Sequence, residues 1–365
     1  MDDSAHVVNP VVPTDSPLGD EIERLKEKIA SVKIPVDLQN LLTARLERLT
    51  LLKKSSSMTY VTELEATSTY ISWITQMPWN LVTKDVLDLN LAKQVLDKNH
   101  YGLGGVKDRI LEYLSALMLN VQNNQEHHFL RAPILCLVGL AGTGKTTLAL
   151  SIAQALGRRF ERIPFGGIGD ARILRGQSKA HPDAEPGMVI KKLVRTGSKN
   201  CVILLDELDR VSVEARSDVM GVLIELLDSE QNSSFTDHYI DYPFDLSGVL
   251  FIATANNTTN ISTAVLDRLE LIQMPSYSDE EKVTIGKKYL FPKIRSETGL
   301  TQAQITISEA LWPTIIRPLG FDSGIRSLER TIGGICRKSA RLIVEKKAQN
   351  VQITDKNIRE FLPVF

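Results

Sequence analysis

The stretch ILCLVGLAGTGKTTLALSIAQALG, residues 134–157, decides how this chain folds. It opens with five apolar residues, continues through a glycine-rich segment and ends in residues that favour a helix. Within it, GLAGTGKTT at residues 139–147 fits the pattern G-x-x-x-x-G-K-[ST] of a phosphate-binding loop. Because that pattern requires a strand before the loop and a helix after it, the stretch predicts a nucleotide site.

The loop residues have separate predicted roles at that site. The glycines would let backbone N–H groups wrap the β-phosphate without side-chain clash, and the following helix N-terminus adds a favourable dipole. Lys145 would reach the β- and γ-phosphates, and the Thr146 hydroxyl would ligate Mg²⁺. The predicted nucleotide contacts from the loop are Gly139, Gly142, Thr143, Gly144, Lys145, Thr146 and Thr147. The alternative is a glycine-rich turn with a chance lysine, which the flanking strand and helix make a poor explanation.

A second part of a nucleotide site follows in CVILLDELDR, residues 201–210. Its apolar run predicts a buried strand that delivers Asp206 and Glu207 at its carboxyl end, where ligands bind in open α/β sheets. Asp206 would hold Mg²⁺ directly or through water, and Glu207 would polarise the attacking water as general base. Taken alone, an acidic pair after a strand is more often a helix N-cap. Its position about 60 residues after a fitting phosphate loop favours catalysis.

Three further polar residues are candidates for the same site. Asn256 ends the apolar run VLFIATAN and would orient the water or sense the γ-phosphate, although the alternative is a simple chain turn. Arg268 in LDRLE and Arg326 in GIRSLER would couple hydrolysis to movement if both converged on one nucleotide. As lone arginines, both would most often form surface salt bridges.

Apolar runs separated by helical stretches predict the architecture. Runs at 134–138, 159–165, 201–205, 249–254 and 271–275 indicate an α/β fold, with a parallel five-stranded sheet between helices. Amphipathic patterns before and after it predict helical segments. The predicted organisation is a flexible tail over 1–16, a helical segment over 17–95, a large α/β ATPase domain over 96–276 and a small helical domain over 277–365.

Composition narrows the classes of partner. The formal net charge is -1, which argues against nucleic acid and anionic membranes as partners. No apolar run approaches the roughly 20 residues that span a bilayer. The start, MDDSAHVVNP, has no apolar core like that of a secretory signal. Because the three cysteines lie far apart without metal-ligand spacing, a reducing, cytoplasmic location is expected.

The order of these motifs resembles that of an AAA+ ATPase, and the amino-acid sequence within and between them resembles the ATPase module of Lon proteases more closely still. The matching stretches include LGRRFERIPFGGIGDARILRG, NCVILLDELDR and GIRSLERTIGGICRKSARLIV. The likeness runs from about residue 20 to the end of the chain. It implies a P-loop AAA+ core with a small helical lid, ATP and Mg²⁺ as cofactors, and a homo-oligomeric, hexameric ring with sites at subunit boundaries.

The resemblance also implies residue roles. His100, Tyr101, Gly102 and Leu103 would line the adenine pocket. Arg268 would be the finger that reaches the neighbouring subunit's site. Arg326 would be the lid sensor that touches the nucleotide of its own subunit. The implied function couples ATP hydrolysis to remodelling or translocation of a protein substrate.

Two departures from the Lon pattern qualify that function. The chain stops at REFLPVF, where the proteolytic domain of Lon with its Ser–Lys dyad would begin, so peptidase activity is not expected from this chain alone. Either a fragment of a longer ATP-dependent Lon serine protease or a natural protein without that domain fits. The phosphate loop also lacks the proline that is usual in Lon.

The second departure is the segment RGQSKAHPDAEPG, residues 175–187, hereafter the 175–187 loop. It aligns with the substrate-gripping pore loop of Lon, which carries an aromatic residue followed by an aliphatic one. Here His181 and Pro182 stand in those positions, a smaller polar ring followed by a stiff residue without a donor. Two explanations of this difference stay open: threading of the substrate is weakened or altered, or the loop tolerates substitution and its sequence has drifted. A nucleotide-gated scaffold or adaptor with little turnover therefore stays an alternative to a working motor, and a DNA-associated ATPase is disfavoured by charge.

Overall fold

The computed structural model of the protein describes residues 17–53, 58–123, 133–181, 183–317 and 324–362. These residues form two compact units. The first unit runs to Val82 and also contains Arg175–Lys199 and Thr236–Phe244. The second contains Thr83–Leu174, Asn200–Phe235 and the chain from Asp245 onward. The predicted tail, residues 1–16, lies outside the described residues.

The elements follow the chain in this order. The helices are α1 (Pro17–Ala30), α2 (Val36–Lys53), α3 (Met58–Gln76), α4 (Leu89–Asn99), α5 (Gly104–Asn123), α6 (Lys145–Leu156), α7 (Arg172–Arg175), α8 (Met188–Thr196), α9 (Arg216–Leu227), α10 (Thr263–Leu266), α11 (Asp279–Ile285), α12 (Phe291–Glu297), α13 (Trp312–Ile316), α14 (Arg326–Val344) and α15 (Ile358–Phe361). The strands are β1 (Ile134–Val138), β2 (Phe160–Pro164), β3 (Val202–Asp206), β4 (Phe235–Thr236), β5 (Pro243–Phe244), β6 (Leu250–Ala255), β7 (Leu269–Gln273), β8 (Ile305–Ile307) and β9 (Val351–Ile353).

The first unit is built on α1, α2 and α3, which pack against one another. Four leucines of α2 at helical spacing are buried in that contact, namely Leu38, Leu42, Leu46 and Leu49. Tyr70 of α3 is also buried, and its hydroxyl donates to the Ile240 carbonyl oxygen at 2.7 Å. The helical segment that the amphipathic pattern predicted therefore packs on residues 236–244, which lie far along the chain.

The second unit contains the five-stranded sheet, in the order β2-β3-β6-β1-β7 with every pairing parallel. All five predicted strands are present, and β7 begins two residues before its predicted start. The strands β3 and β6 are buried at every position, as continuous apolar runs predict for strands covered on both faces. The predicted α/β class with a parallel five-stranded sheet is confirmed.

The parallel arrangement gathers several loops at one edge of the sheet. Val138, Asp206 and Ala255 end neighbouring strands, and α6 packs beneath them on β3 and β6. A continuous apolar core joins sheet, helices and C-terminal residues, since Leu137 and Ile332 belong to one buried cluster. This core fixes the carboxyl edge of the sheet relative to the start of α14.

The C-terminal region differs from its all-helical prediction. β8 and β9 pair in parallel there, with Ile305 opposite Val351 and Ile307 opposite Ile353. Runs of three residues are too short to show the alternation by which a strand is recognised in sequence, so the prediction missed them. At the N-terminal boundary of the predicted α/β domain, between residues 95 and 96, the chain is helical, since α4 runs from Leu89 to Asn99.

Candidate nucleotide-binding site

The backbone of the phosphate loop needs glycine at three positions. Gly142 and Gly144 have φ angles of 83° and 93°, in the left-handed region that side chains disfavour. A Cβ atom on Gly139 would lie 2.7 Å from the Met274 carbonyl oxygen. The hydroxyls of Thr143 and Thr147 donate to the Leu140 and Gly144 carbonyl oxygens at 2.9 and 2.8 Å. The loop is thus held in one shape by its own residues.

Lys145 presents a buried ammonium group to the inside of this loop. Its Nζ donates to the carbonyl oxygens of Gly139 at 2.5 Å and Leu140 at 3.0 Å, and to Asn256 Oδ1 at 3.1 Å. Burial lowers the pKa of Lys145, while the carboxylates of Asp209 and Asp206 act in the opposite direction. A cation held by neutral oxygens in a partly dry site favours an incoming anion.

Asp206 brings the end of β3 to the start of α6. Its Oδ1 accepts a hydrogen bond from Thr254 Oγ1 at 2.5 Å and lies 3.5 Å from Thr146 Oγ1. The other oxygen, Oδ2, lies 3.4 Å from Nε of Arg162 on β2. A hydroxyl and a carboxylate at this separation are hard oxygen ligands that one Mg²⁺ can share.

Glu207 takes an uncommon backbone conformation for a residue other than glycine. Its φ and ψ angles are 62° and 51°, and its N–H donates to Thr254 Oγ1 at 2.9 Å. Its Oε2 lies 3.6 Å from Arg210 Nη1, and a Cβ atom on Gly166 would approach that oxygen to 3.1 Å. Strained residues of this kind cluster at functional sites, because the surrounding structure has to hold them.

Asn256 is fixed from two sides. Its backbone N–H donates to Oδ1 of the buried Asp209 at 3.0 Å, and its side-chain Oδ1 accepts from Lys145. Asp209 is held in turn, since its carbonyl oxygen accepts from Asn260 Nδ2 at 3.2 Å. The amide of Asn256 therefore lies between the phosphate loop and the acidic segment.

The start of α14 lies directly on the phosphate loop. The Ile325 N–H donates to the Gly142 carbonyl oxygen at 3.1 Å. A Cβ atom on Gly142 would lie 3.3 Å from Arg326 Cγ, and one on Gly324 would lie 2.4 Å from the Ala141 carbonyl oxygen. Arg326 thereby lies next to the loop, so a shift of the loop backbone would displace the first residue of α14.

The segment His100–Leu103 lies beside α6 and α11. His100 Nε2 is 3.0 Å from Ser151 Oγ, and the Tyr101 ring centroid is 6.3 Å from that of Tyr289. Gly102 and Leu103 both have positive φ angles, 65° and 57°. Two left-handed residues in succession turn the chain sharply between α4 and α5. Tyr101 stays about one-third exposed, as a ring that contacts a ligand requires.

The burial of His100 predicts a dependence of stability on pH. Burial, aided by the charge of Lys107, lowers its pKa from 6.5 to about 4. Below pH 6.5 the unfolded chain binds a proton that the folded protein does not, so this stability is present above pH 6.5 and is lost as the pH falls toward 4. The free energy of unfolding should decrease by about 2 kcal/mol between pH 7 and pH 5 from this residue. Denaturant unfolding of wild type and His100→Gln at both pH values measures it. An equal decrease in the variant would contradict the assignment, and His238→Gln, at an exposed position, should keep the wild-type decrease.

Arg268 is not among the residues gathered at the phosphate loop. It directly precedes β7, which runs parallel to β1 from Leu269 opposite Ile134 to Gln273 opposite Val138. Because the loop follows β1, Arg268 lies at the amino end of these parallel strands and the loop at their carboxyl end, about 20 Å apart at 3.3 Å per residue. Its guanidinium donates to Asp228 Oδ2 at 2.9 Å and lines a cavity of about 460 Å³. That hydrogen bond holds the pKa of Asp228 below its usual range.

In the first unit, the 175–187 loop is anchored at its base. Gln177 N–H donates to the Glu185 carbonyl oxygen at 3.2 Å, and Gly187 N–H donates to the carboxylate of the buried Asp237 at 2.7 Å. His181 is exposed, and Pro182 lies outside the described residues. The Glu185 carboxylate pairs with Lys191, so the loop is less acidic than its sequence indicates.

Several site residues had no marker in the sequence. The Thr254 hydroxyl donates to the Asp206 carboxylate and accepts from the Glu207 N–H. The one feature of the sequence that could have indicated this role is its position two residues before Asn256, on the same face of the strand. The hydroxyl of Tyr277 donates to the Thr143 carbonyl oxygen at 3.3 Å, and burial raises its pKa to about 12. Arg162 reaches Asp206 from another strand, which no local pattern predicts.

A parallel sheet with this phosphate loop, an acidic strand end beside it and a helix of the following domain on the loop defines a nucleotide-binding ATPase of the AAA+ class. Comparison with family models agrees. Residues 135–277 match the ATPase family associated with various cellular activities, and residues 296–359 match the Lon protease AAA+ ATPase lid domain.

Curated relatives specify the class further. A Lon protease of Lawsonia intracellularis is 41% identical over 345 residues, which are 94% of this chain and 40% of that protein. A Lon protease of Desulforamulus reducens is 43% identical over 92% of this chain and 40% of that protein. Lon protease 2 of Thermus thermophilus is 39% identical over 94% and 42%. The chain thus contains an AAA ATPase domain followed by a Lon-type lid domain, and it spans about 40% of the length of these relatives.

The sequence contains no apolar run long enough to span a bilayer, and the helices of the structure can be compared with that expectation. Among the described residues, none of the helices combines the length and apolar character that crossing a membrane requires.

Proposed function

We propose that this chain binds ATP with Mg²⁺ at the phosphate loop, hydrolyses it, and uses the change to remodel or translocate a protein substrate. The observation that carries the proposal is the convergence of Lys145, Thr146, Asp206, Glu207 and Asn256 on one edge of the sheet. These residues supply a cation for phosphate, two oxygen ligands for a metal, a carboxylate for water and an amide to orient it.

The donor set fits the proposed cofactors. Thr146 and Asp206 are the residues that would hold Mg²⁺, which when bound neutralises developing charge on the phosphates. The N–H groups of Gly142 to Thr147 would bind the β-phosphate, and Lys145 would move from its carbonyl partners to the triphosphate. Glu207 would accept the proton of the attacking water, with Thr254 holding its backbone.

Removing the loop cation tests nucleotide binding. Lys145→Ala should weaken ATP binding roughly 100-fold, because charge-assisted hydrogen bonds to phosphate are lost at a partly dry site. Titration of a fluorescent ATP analogue measures this. Lys98→Ala removes the same charge from an exposed position of α4 and should bind like wild type. Equal affinity of Lys145→Ala and wild type would end the proposal.

The contact between the phosphate loop and α14 suggests how hydrolysis is coupled to movement. The Ile325 N–H and the Arg326 side chain both meet Gly142, so a phosphate on the loop and the start of α14 share one backbone segment. Loss of the γ-phosphate would change the partners of Arg326 and shift the C-terminal domain, in the manner of a hinge closing around a ligand.

We further propose a homo-oligomeric ring, hexameric as the family resemblance implies, in which Arg268 serves the site of a neighbouring subunit. Its distance from the phosphate loop of its own chain supports this, because a finger that acts in trans has to lie at the opposite face of the domain. The domain boundaries at residues 95/96 and 276/277, with the predicted roles of the site residues, form part of this proposal.

A nucleotide-gated scaffold with little turnover is a second candidate, favoured by the exposed part of the 175–187 loop. Its described exposed residues are polar or small, namely Ser178, Ala180, His181, Asp183 and Glu185, and none is aromatic. An apolar grip on a threaded polypeptide is therefore weak there. Mass measurement in solution with and without ATP tests the scaffold: an assembly that ignores nucleotide would rule it out.

A further inference from the structure

Arg162 lies within reach of the predicted metal ligand although it belongs to the edge strand of the sheet. In the pairing of β2 with β3, Arg162 is opposite Leu204, and Pro164 is opposite Asp206. Paired residues and residues two apart share one face of a sheet, so the Arg162 side chain extends along that face toward Asp206. The two residues of strand to be covered amount to about 6.6 Å, which an arginine side chain spans.

The two oxygens of the Asp206 carboxylate consequently have different partners. Oδ1 faces the hydroxyls of Thr254 and Thr146, at 2.5 and 3.5 Å. Oδ2 faces the Arg162 guanidinium, with Nε at 3.4 Å. Oδ1 thus lies beside two hydroxyls on the side of the phosphate loop, and Oδ2 lies beside a positively charged guanidinium.

The exposure of the two partners is unequal. The side chain of Asp206 is 9% exposed, whereas that of Arg162 is 53% exposed. A guanidinium in water forms and breaks such a pair at little cost, while the buried carboxylate depends on whatever cation is near it. Arg162 can therefore leave the pair for water at little cost, whereas Asp206 needs either this cation or another one close to its buried carboxylate.

We propose that Arg162 is a positioning residue that holds Oδ2 of Asp206 and weakens the binding of a divalent cation by this carboxylate. The proposal rests on the proposed function, because it takes Asp206 as a Mg²⁺ ligand. Two cations that share one carboxylate repel each other, so the metal needs additional oxygens to bind. The phosphates of the nucleotide supply them, and Arg162 thereby makes metal binding depend on the nucleotide.

The test uses the full chain and a fluorescent ADP analogue, whose binding requires no turnover. Its affinity is measured in EDTA and across a Mg²⁺ titration for wild type, Arg162→Gln and Arg162→Lys. The Gln variant should keep the affinity in EDTA, and its midpoint for Mg²⁺ should fall about three- to tenfold, since one positive charge next to the metal is removed. The Lys variant keeps the charge and should stay near wild type. Arg341→Gln removes an equal charge from the last turn of α14, where Arg341 pairs with Glu345, and should also stay near wild type.

Each outcome decides between distinct explanations. A wild-type midpoint in Arg162→Gln would overturn the proposal while leaving nucleotide binding intact. Loss of affinity in EDTA would also overturn it, because the guanidinium would then be a phosphate ligand and not a partner of the metal ligand. If wild type itself bound no nucleotide, the proposed function would fail first. Thermal melting of each variant verifies the fold, and the exposed position of Arg162 predicts little change.

Discussion

Glu207→Gln should lower the rate of ATP hydrolysis about a thousandfold and leave nucleotide affinity unchanged, since general base catalysis contributes 10²–10⁴-fold. Glutamine has the same shape as glutamate and keeps the left-handed backbone, but it cannot accept the proton of water. The carboxylate contacts Arg210 and packs on Gly166, not on the phosphate loop, so its loss should not disturb binding. Phosphate release and titration of a fluorescent ATP analogue measure the two quantities separately.

Glu214→Gln is the matched control for this substitution. Glu214 follows in the same segment and is exposed, so its variant should hydrolyse ATP like wild type. A Glu207→Gln protein that releases phosphate at the wild-type rate would show that another group activates the water. A variant that lost nucleotide affinity as well would show that Glu207 has a structural role, because its strained backbone borders Asp206.

The sequence predicted the elements of this site better than it predicted their contacts. ILCLV and its phosphate loop were recognisable because a buried parallel strand is continuously apolar and the loop needs glycine at fixed positions. Convergence of Asp206 and Asn256 followed from a general property of parallel sheets, whose strands end at one edge. The five-stranded sheet could be predicted, but the order of its strands could not, since an apolar run does not indicate which other strands it pairs with.

Contacts between distant strands explain the residues that sequence reasoning missed. Arg162 meets Asp206 only because β2 lies beside β3 with Arg162 opposite Leu204, and a shift of one residue would turn its side chain to the other face. Thr254 holds Asp206 and Glu207 by the same kind of pairing. The short strands β8 and β9 show a different limit, because three residues have no measurable period.

Arg268→Ala should leave the nucleotide affinity of the chain unchanged and lower hydrolysis by a thousandfold or more, roughly the effect of removing an arginine finger. The affinity should be unchanged because Arg268 lies at the opposite end of the parallel strands from the phosphate loop. The fold should tolerate the change, because the Arg268–Asp228 pair is partly exposed and such pairs contribute little stability. Arg109→Ala, which breaks an exposed pair with Glu270, is the matched control and should behave like wild type.

Mixing two inactive variants separates a finger that acts in trans from one that acts within its own chain. In a ring of equal parts Arg268→Ala and Glu207→Gln, a site works when its own subunit has Glu207 and its neighbour has Arg268. Random assembly of head-to-tail interfaces gives this at about one site in four, so the mixture should recover roughly a quarter of wild-type hydrolysis. If Arg268 served the site of its own chain, no pairing would restore a complete site. The mixture would then stay as inactive as its components.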